Sequence, residues 1–329
     1  MNRFEKIIGH NNIKEHFKSS IKLGKISHAY IINGEQGMGK KLLANTFAKT
    51  LQCLEKKDEP CGKCTSCQLF NTSNHPDIKY VESSKVKSIG VDDIRKQLNQ
   101  DIYIKPYRFS YKIYIIDEAE KLTEQAQNAM LKTIEEPPKY AIIILLTNNS
   151  NKLLSTIISR CVILNLKPLA HNLVKEYLLT HMGISKEKVG LYVAFSQGSI
   201  GRAINIIEST EFVDMMSTCI SLLKEIPSLQ DIDLLNRVSQ LEVYKDTIQE
   251  VLELMVIWYR DMLIVKSTHS DKGIILKNEF DSLLENSHKM SYNKIGKNIN
   301  YIEKTKQQIS YNVNFQLSLE TLLLKIKES

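Results

Sequence analysis

The stretch Asn33-Gly34-Glu35-Gln36-Gly37-Met38-Gly39-Lys40-Lys41 decides the fold of this chain. It follows the apolar run 29–32, which predicts a buried strand, and it precedes the apolar face of a predicted helix. A strand, a glycine-rich turn and a helix in this order are the context of a phosphate-binding loop. Gly34, Gly37 and Gly39 let backbone N–H groups converge on a phosphate, and the helix N-terminus adds its positive dipole end. A glycine-rich turn that binds no ligand is the alternative.

Two lysines close this stretch. Lys40 stands where the lysine that contacts the β- and γ-phosphates belongs. Lys41 stands where the motif requires Ser or Thr, whose hydroxyl ligates Mg²⁺. An ammonium has no lone pair and cannot ligate Mg²⁺, although it still places positive charge beside the phosphates. We therefore predict weak or absent binding of ATP or ADP with Mg²⁺, and hydrolysis close to background.

After a second strand predicted at residues 77–81, a third and buried strand is predicted at residues 111–116, and it ends in Asp117 and Glu118. Acidic groups in this position are the usual companions of a phosphate loop. We expect Asp117 to hold Mg²⁺, directly or through water, and Glu118 to polarise the attacking water. Capping of the following helix is the alternative role of these carboxylates.

Another apolar strand, predicted at residues 141–146, ends in Thr147 and Asn148. A polar side chain at this point can orient the hydrolytic water or sense the γ-phosphate, and a plain strand-end turn is the alternative. Because near-continuous apolar strands alternate with helical segments, the sequence predicts an α/β fold with a mostly parallel sheet covered on both faces.

Four of the six cysteines cluster in one insertion, at Cys53, Cys61, Cys64 and Cys67. Two Cys-x-x-Cys steps let a tight turn present several sulfurs to one ion. We predict a structural Zn²⁺ site, because a closed shell of four cysteines leaves no open position for substrate. Pro60, Gly62 and the polar residues beside the cysteines indicate neither helix nor strand there. Reduced free cysteines in a loop are the alternative.

The composition is typical of a soluble globular protein. The 329 residues are 43% apolar and 25% charged, with a formal net charge of +7. Lys and Arg are spread along the chain, which indicates a solvated surface, with contact to DNA or acidic partners as the alternative. No apolar run approaches the ~20 residues that span a bilayer, and residues 1–6 lack the apolar stretch of a signal peptide. We therefore expect a cytoplasmic protein that does not associate with membranes.

Three domains are predicted along the chain. Residues 1–166 form a nucleotide-binding domain that carries the cysteine insertion at 53–67, and Pro168 marks its end. Residues 167–208 form a small helical domain, and residues 209–329 are helical throughout. Within the small domain, the turn at residues 196–199 opens a helix that carries Arg202 in its first turns.

Taken together, these features resemble the clamp-loader branch of the AAA+ ATPases, which serves bacterial DNA polymerase III. The resemblance rests on an ordered set of motifs: residues 27–30, the phosphate loop, the four-cysteine insertion, residues 116–120, Ser159-Arg160-Cys161, residues 198–203 and residues 312–317. It implies an AAA+ parallel sheet with a zinc-knuckle insertion, a small helical lid domain and an all-α C-terminal collar domain.

The resemblance also implies roles for single residues. Arg160 would be an arginine finger that reaches the γ-phosphate bound on a neighbouring subunit, and the sequence indicates no local partner for it. An ordinary surface salt bridge is the alternative. Arg202 would be the sensor-2 arginine acting in cis, and Thr147 and Asn148 fall at the sensor-1 position.

The function implied is that of a stationary subunit in a hetero-pentamer with delta and gamma/tau subunits. This machine opens a sliding clamp and closes it around primer–template DNA. The chain would have little or no ATPase of its own and no polymerase chemistry. One alternative is the gamma/tau-type motor of the same loader, which should carry Ser or Thr after Lys40. The others are an independent P-loop ATPase or kinase and a zinc-dependent DNA-binding module.

Overall fold

The computed structural model describes residues 3–84, 87–311 and 313–328. The chain divides into two compact units. The first comprises Met1–Leu173 and Gly198–Gly201, and the second comprises Val174–Gln197 and Arg202–Ser329. The predicted division into three domains, with boundaries after residues 166 and 208, stays a prediction.

A parallel five-stranded sheet forms the centre of the first unit, in the order β2-β3-β4-β1-β5. The strands are β1 (Ala29–Asn33), β2 (Ile78–Tyr80), β3 (Lys112–Ile116), β4 (Ala141–Thr147) and β5 (Val162–Asn165). Because β1 lies between β4 and β5, the chain crosses over the sheet, which places helices on both faces. This arrangement confirms the predicted α/β fold with a parallel sheet.

In the part of the chain that the structure describes, six α-helices accompany the sheet: α1 (Asn11–Leu23), α2 (Lys40–Gln52), α3 (Thr65–Asn71), α4 (Val91–Ile94), α5 (Glu124–Glu135) and α6 (Ser155–Ile158). Successive side chains of a strand point to opposite faces. Tyr30 and Ile32 of β1 therefore join a core with α1 and α2, whereas Ala29 and Ile31 join a second core with α4, α5 and α6. Helices thus bury both faces of the sheet from solvent, as the apolar strand sequences predicted.

The second unit is helical. The remaining α-helices among the described residues are α7 (His171–His181), α8 (Val189–Ser196), α9 (Ile200–Glu208), α10 (Thr210–Glu225), α11 (Asp231–Glu242), α12 (Ile248–Thr268), α13 (Phe280–Lys289), α14 (Tyr292–Ser310) and α15 (Phe315–Glu328). Helix α12 is the central element, with Trp258 and its apolar neighbours buried against α10, α13 and α14. The buried Asp261 accepts the N–H groups of Ile275 and Leu276, each at 2.7 Å, and so holds the segment that leads to α13.

Two local expectations meet a different outcome. The prediction of neither helix nor strand beside the cysteines is wrong from Thr65 onward, because α3 begins there with Cys67 inside it. Tertiary contacts outweigh the polar sequence, since Ser66 is buried and its Oγ lies 3.1 Å from His75 Nε2. Of the closing motif at residues 312–317, Asn312 lies outside the described residues.

No helix within the described ranges combines the length and the apolar character needed to cross a membrane.

Candidate functional site

The phosphate loop connects β1 to α2. Gly37 and Gly39 adopt left-handed backbone conformations, with φ of +79° and +91°, which residues with a side chain rarely adopt. At Gly34, a Cβ would lie 2.9 Å from Leu166 Cβ, so this position has no room for a side chain. Each of the three predicted glycines therefore has a physical requirement, in space or in backbone conformation.

Three consecutive carbonyls of the loop accept hydrogen bonds from outside it. Gln36 O accepts from Ser199 Oγ at 3.1 Å, and Gly37 O accepts from the Gly201 N–H at 3.0 Å. Met38 O lies 3.2 Å from His10 Nε2, which donates to it. In a trans peptide the next N–H points away from the carbonyl, so this anchoring turns the N–H groups of Gly37 and Gly39 toward the opposite side, while the Met38 N–H donates to Glu35 O at 3.4 Å. Backbone N–H groups turned to one side of a loop form the kind of concavity that binds anions.

Lys40 begins α2 and folds back over the loop. Its ammonium donates to Gly34 O and, at 3.0 Å, to Glu35 O. Burial lowers the pKa of Lys40, and the nearby carboxylates of Glu120 and Asp117 partly oppose this shift. The ammonium therefore lies at the loop, and a phosphate would offer it stronger acceptors than the two carbonyls do.

Lys41 contacts the acid at the end of β3. Its Nζ lies 3.2 Å from Asp117 Oδ2, and it also lies 5.7 Å from the centre of the Tyr80 ring. The positions that bind Mg²⁺ in a phosphate-loop enzyme are thus joined to each other by an ion pair. Because the ammonium has no lone pair to offer, these two residues do not fit a Mg²⁺ site.

The other acidic and polar candidates surround the same edge of the sheet. Glu118 has a left-handed backbone, with φ of +50°, and its carboxylate lies 2.6 Å from Lys121 Nζ. Thr147 is fully buried, and its carbonyl accepts the Gly34 N–H at 3.1 Å. Asn148 is exposed, and its N–H donates to Glu120 at 3.2 Å. Thr147 thus connects the tip of β4 directly to the phosphate loop.

Arg160 follows α6, and the expectation that it has no local partner is wrong. Its Nη2 lies 3.0 Å from Glu135 Oε1, and its Nη1 donates to Thr156 O at 3.0 Å. The Arg160 and Glu135 side chains are 39% and 44% exposed, so the pair is a surface salt bridge. The guanidinium is nonetheless accessible from solvent at the end of α5.

Arg202 lies in the second unit, in the first turns of α9. Its guanidinium contacts Glu250 Oε1 at 3.1 Å and Gln197 Oε1 at 3.0 Å. Both partners belong to the second unit. The sensor-2 role stays a prediction.

The four clustered cysteines bring their sulfurs together. All four Sγ atoms lie within 4.8 Å of one another. A regular tetrahedral shell with Zn–S distances of roughly 2.3 Å places sulfurs roughly 3.8 Å apart, so the cluster can hold a metal ion with small adjustments. The N–H of Cys61 donates to Cys53 Sγ at 3.4 Å, and the N–H of Cys64 donates to Cys61 Sγ at 3.3 Å. Such N–H donors stabilise thiolates.

The pKa of one cluster thiol is shifted toward the thiolate form. Burial opposes ionisation of Cys64, but backbone N–H groups and neighbouring thiols outweigh it and lower its pKa to about 7. Cys53 and Cys67 are buried, and burial raises the pKa of each. The cluster therefore combines one thiol that ionises readily, Cys64, with two thiols whose ionised forms a bound cation would have to stabilise.

The sequence motifs did not predict the contacts that several residues make at the site. His10, Ser199 and Gly201 hold the phosphate-loop carbonyls from distant parts of the chain, and Glu135 pairs with Arg160. The tight fit of Gly201 is a further example, because a Cβ there would lie 2.7 Å from Gly37 Cα. The only signal in the sequence was the glycine itself, beside an arginine at a helix start.

Two family models match the chain. Residues 9–170 match the model described as DNA polymerase III, delta subunit, and residues 217–328 match the model described as DNA polymerase III, delta subunit, C terminal. The two matches follow each other in chain order and together span most of the sequence.

Curated relatives agree with these matches. The chain is 29% identical to DNA polymerase III subunit delta′ of Bacillus subtilis over 314 residues, which cover 94% of each protein. It is 27% identical to DNA polymerase III subunit tau of the same organism, over 98% of the chain and 61% of tau. A gamma subunit-related protein of Thermotoga maritima is 21% identical, with a TM-score of 0.45, over 95% of the chain and 98% of that structure. The chain therefore belongs to the DNA polymerase III delta-subunit family, as a clamp-loader subunit of the delta-prime type.

Proposed function

We propose that this chain joins delta and gamma/tau subunits in a cytoplasmic hetero-pentamer that loads the sliding clamp onto primed DNA at the expense of ATP. The observation that carries this proposal is the pair of family matches, which cover the sheet domain and the C-terminal helices in chain order. The delta-prime relative, which the chain covers almost end to end, supports the same assignment.

Within this complex, the chain contributes an arginine to the nucleotide site of a neighbouring subunit and little catalysis of its own. Arg160 follows a four-residue helix at the surface, and the partners of its guanidinium, Glu135, Thr156 and Ser159, are themselves exposed. A guanidinium released from Glu135 can form bidentate hydrogen bonds with the phosphate oxygens of a nucleotide on a neighbouring subunit. Arg160 is thus proposed as an arginine finger that acts in trans.

The phosphate loop of the chain itself supports little or no hydrolysis. Asp117 and Glu118, the two acids proposed for metal binding and water activation, each form an ion pair with a lysine. Lys41 supplies no hydroxyl for Mg²⁺. The loop glycines, Lys40, Thr147 and Asn148 remain proposed contacts of a weakly bound ATP or ADP, with Arg202 contributing in cis.

The cysteine cluster is proposed as a structural Zn²⁺ site. Its four sulfurs would complete a tetrahedral shell and leave no position for a substrate. Zinc would fix the segment between α2 and α3, because Cys53 follows the end of α2 and Cys67 lies inside α3. The metal would supply structure there and no chemistry.

A motor subunit of the gamma/tau type is the second candidate, because the chain is similar to tau along 98% of its length. Lys41 argues against this role, since a motor needs a hydroxyl ligand for Mg²⁺ at that position. The chain also spans 61% of the length of tau.

Size-exclusion chromatography of the chain with the delta and gamma/tau subunits of the same organism tests the proposal. We expect one co-eluting complex that contains all three subunits and stimulates clamp loading on primed DNA. A chain that elutes alone at every subunit ratio would exclude the proposed function. A complex whose ATPase persists without gamma/tau would favour the motor role.

A further inference from the structure

The cation site of the phosphate loop is occupied by a residue of the chain. In a phosphate-loop enzyme, the side chain after the loop lysine and the acid at the end of a neighbouring strand both hold the same Mg²⁺. Here these two side chains are Lys41 and Asp117, and Lys41 Nζ lies 3.2 Å from Asp117 Oδ2. One tethered positive charge therefore lies where a bound dication would lie.

Two further contacts hold Lys41 in this position. The Tyr80 ring lies 5.7 Å from the ammonium, within the range of a cation–π interaction. Tyr80 is itself fixed, because its hydroxyl donates to Asn45 Oδ1 at 2.7 Å. Asn45 lies one helical turn after Lys41 on α2, and Tyr80 ends β2, the strand next to β3. The ammonium is thus directed toward Asp117 by groups from α2, β2 and β3.

A divalent cation would have to displace this arrangement. Mg²⁺ requires near-octahedral oxygen ligands at roughly 2.1 Å, and Lys41 offers none. The ammonium would also repel the dication at short range. A nucleotide without a metal meets no such obstacle, because Lys41 and Lys40 both present positive charge next to the loop N–H groups.

We propose that Lys41 replaces Mg²⁺ at this site, so that the phosphate loop binds the phosphates of a nucleoside di- or triphosphate without a divalent cation. This inference rests on the nucleotide-binding part of the proposed function. It makes the bound nucleotide a structural ligand, since the metal that stabilises charge during phosphoryl transfer has no place. It also makes Mg²⁺ a competitor, because the metal-free nucleotide is the form that fits.

The test is equilibrium binding of a fluorescent ADP analogue to the full chain, measured with EDTA and again with millimolar MgCl₂. We expect the unchanged chain to bind at least as tightly with EDTA as with MgCl₂. Lys41→Thr restores the metal ligand and should reverse this order. Lys41→Met removes the charge without adding a ligand, and it should weaken binding in EDTA by about fivefold, the value of one charge contact in water.

The controls separate this inference from the proposed function. Lys40→Ala should abolish binding under both conditions, and Lys41 is 60% exposed, so its variants should fold. Binding by the unchanged chain that requires Mg²⁺ would overturn the inference. So would binding by Lys41→Met alone in EDTA, because Lys41 would then block the site. If no variant binds nucleotide but the chain still assembles with its partners, the inference fails and the proposed function stands.

Discussion

The salt bridge between Arg160 and Glu135 yields a quantitative prediction about the arginine finger. The two groups are 3.0 Å apart, with side chains 39% and 44% exposed. Exposed pairs of this kind contribute about 0.2–1 kcal/mol. To reach a phosphate on a neighbouring subunit, the guanidinium must first leave Glu135. The pair therefore lowers the fraction of Arg160 side chains that are free of Glu135 by about fivefold at most. This follows because 1.4 kcal/mol corresponds to about tenfold, and about 1 kcal/mol to about fivefold.

Glu135→Gln removes this competition while preserving side-chain size. We expect turnover at the one site that Arg160 serves to rise by up to about fivefold and the ATPase of the assembled loader to rise by a smaller factor, with a larger effect at low salt, where exposed ion pairs are screened least. The free energy of unfolding should change by no more than about 0.5 kcal/mol, as for most surface substitutions.

Glu136→Gln is the matched control, because Glu136 is the exposed residue that directly follows Glu135 and caps the same helix. It removes the same charge without touching Arg160, and it should leave the ATPase unchanged. A decrease in ATPase with Glu135→Gln would refute the reasoning, as would an equal increase in both variants, which would indicate a general effect of charge.

Three further predictions concern stability and composition. Purified protein should contain about one Zn²⁺ per chain, measured by elemental analysis; Cys64→Ser should lose it and Cys219→Ala should keep it. Side-chain hydrogen bonds from Lys79, Tyr114 and Lys112 outweigh burial and hold the pKa of Asp101 at about 2. The Asp101→Asn substitution should therefore lower the free energy of unfolding by about 2 kcal/mol above pH 4. This difference in denaturant unfolding should shrink as the pH falls from 4 toward 2; a pH-independent difference would contradict it. Gly201→Ala brings a Cβ to 2.7 Å from the phosphate loop and should destabilise by about 1–3 kcal/mol, whereas Gly296→Ala, with open space around it, should not destabilise in thermal unfolding.

The phosphate loop and the parallel sheet could be predicted from sequence because their determinants are local. Glycines at Gly37 and Gly39 serve backbone conformations within the loop itself, and buried strands show as continuous apolar runs. The predicted strand ends differ from the observed ones by at most one residue, as at β1, which extends to Asn33.

The contacts that define the chemistry could not be predicted, because they join distant positions. Lys41 was recognisable as the wrong residue for Mg²⁺, but its pairing with Asp117 depends on how α2 and β3 are placed by the fold. The partner of Arg160 was missed for the same reason, since Glu135 lies at the end of the preceding long helix. Helix α3 was missed because its polar start is stabilised by burial against His75, which local sequence does not encode.

The most direct test of the account is the ATPase rate of the assembled loader when this chain alone carries Arg160→Ala. Arginine fingers contribute about 10³–10⁵ to turnover at a single site, and one affected site among several should give a smaller, clearly measurable loss. We expect the complex to assemble as before, with reduced ATPase, and Arg160→Lys to restore little, since lysine lacks the planar bidentate fork. An intact complex with unchanged ATPase would contradict the assignment of Arg160 as the finger.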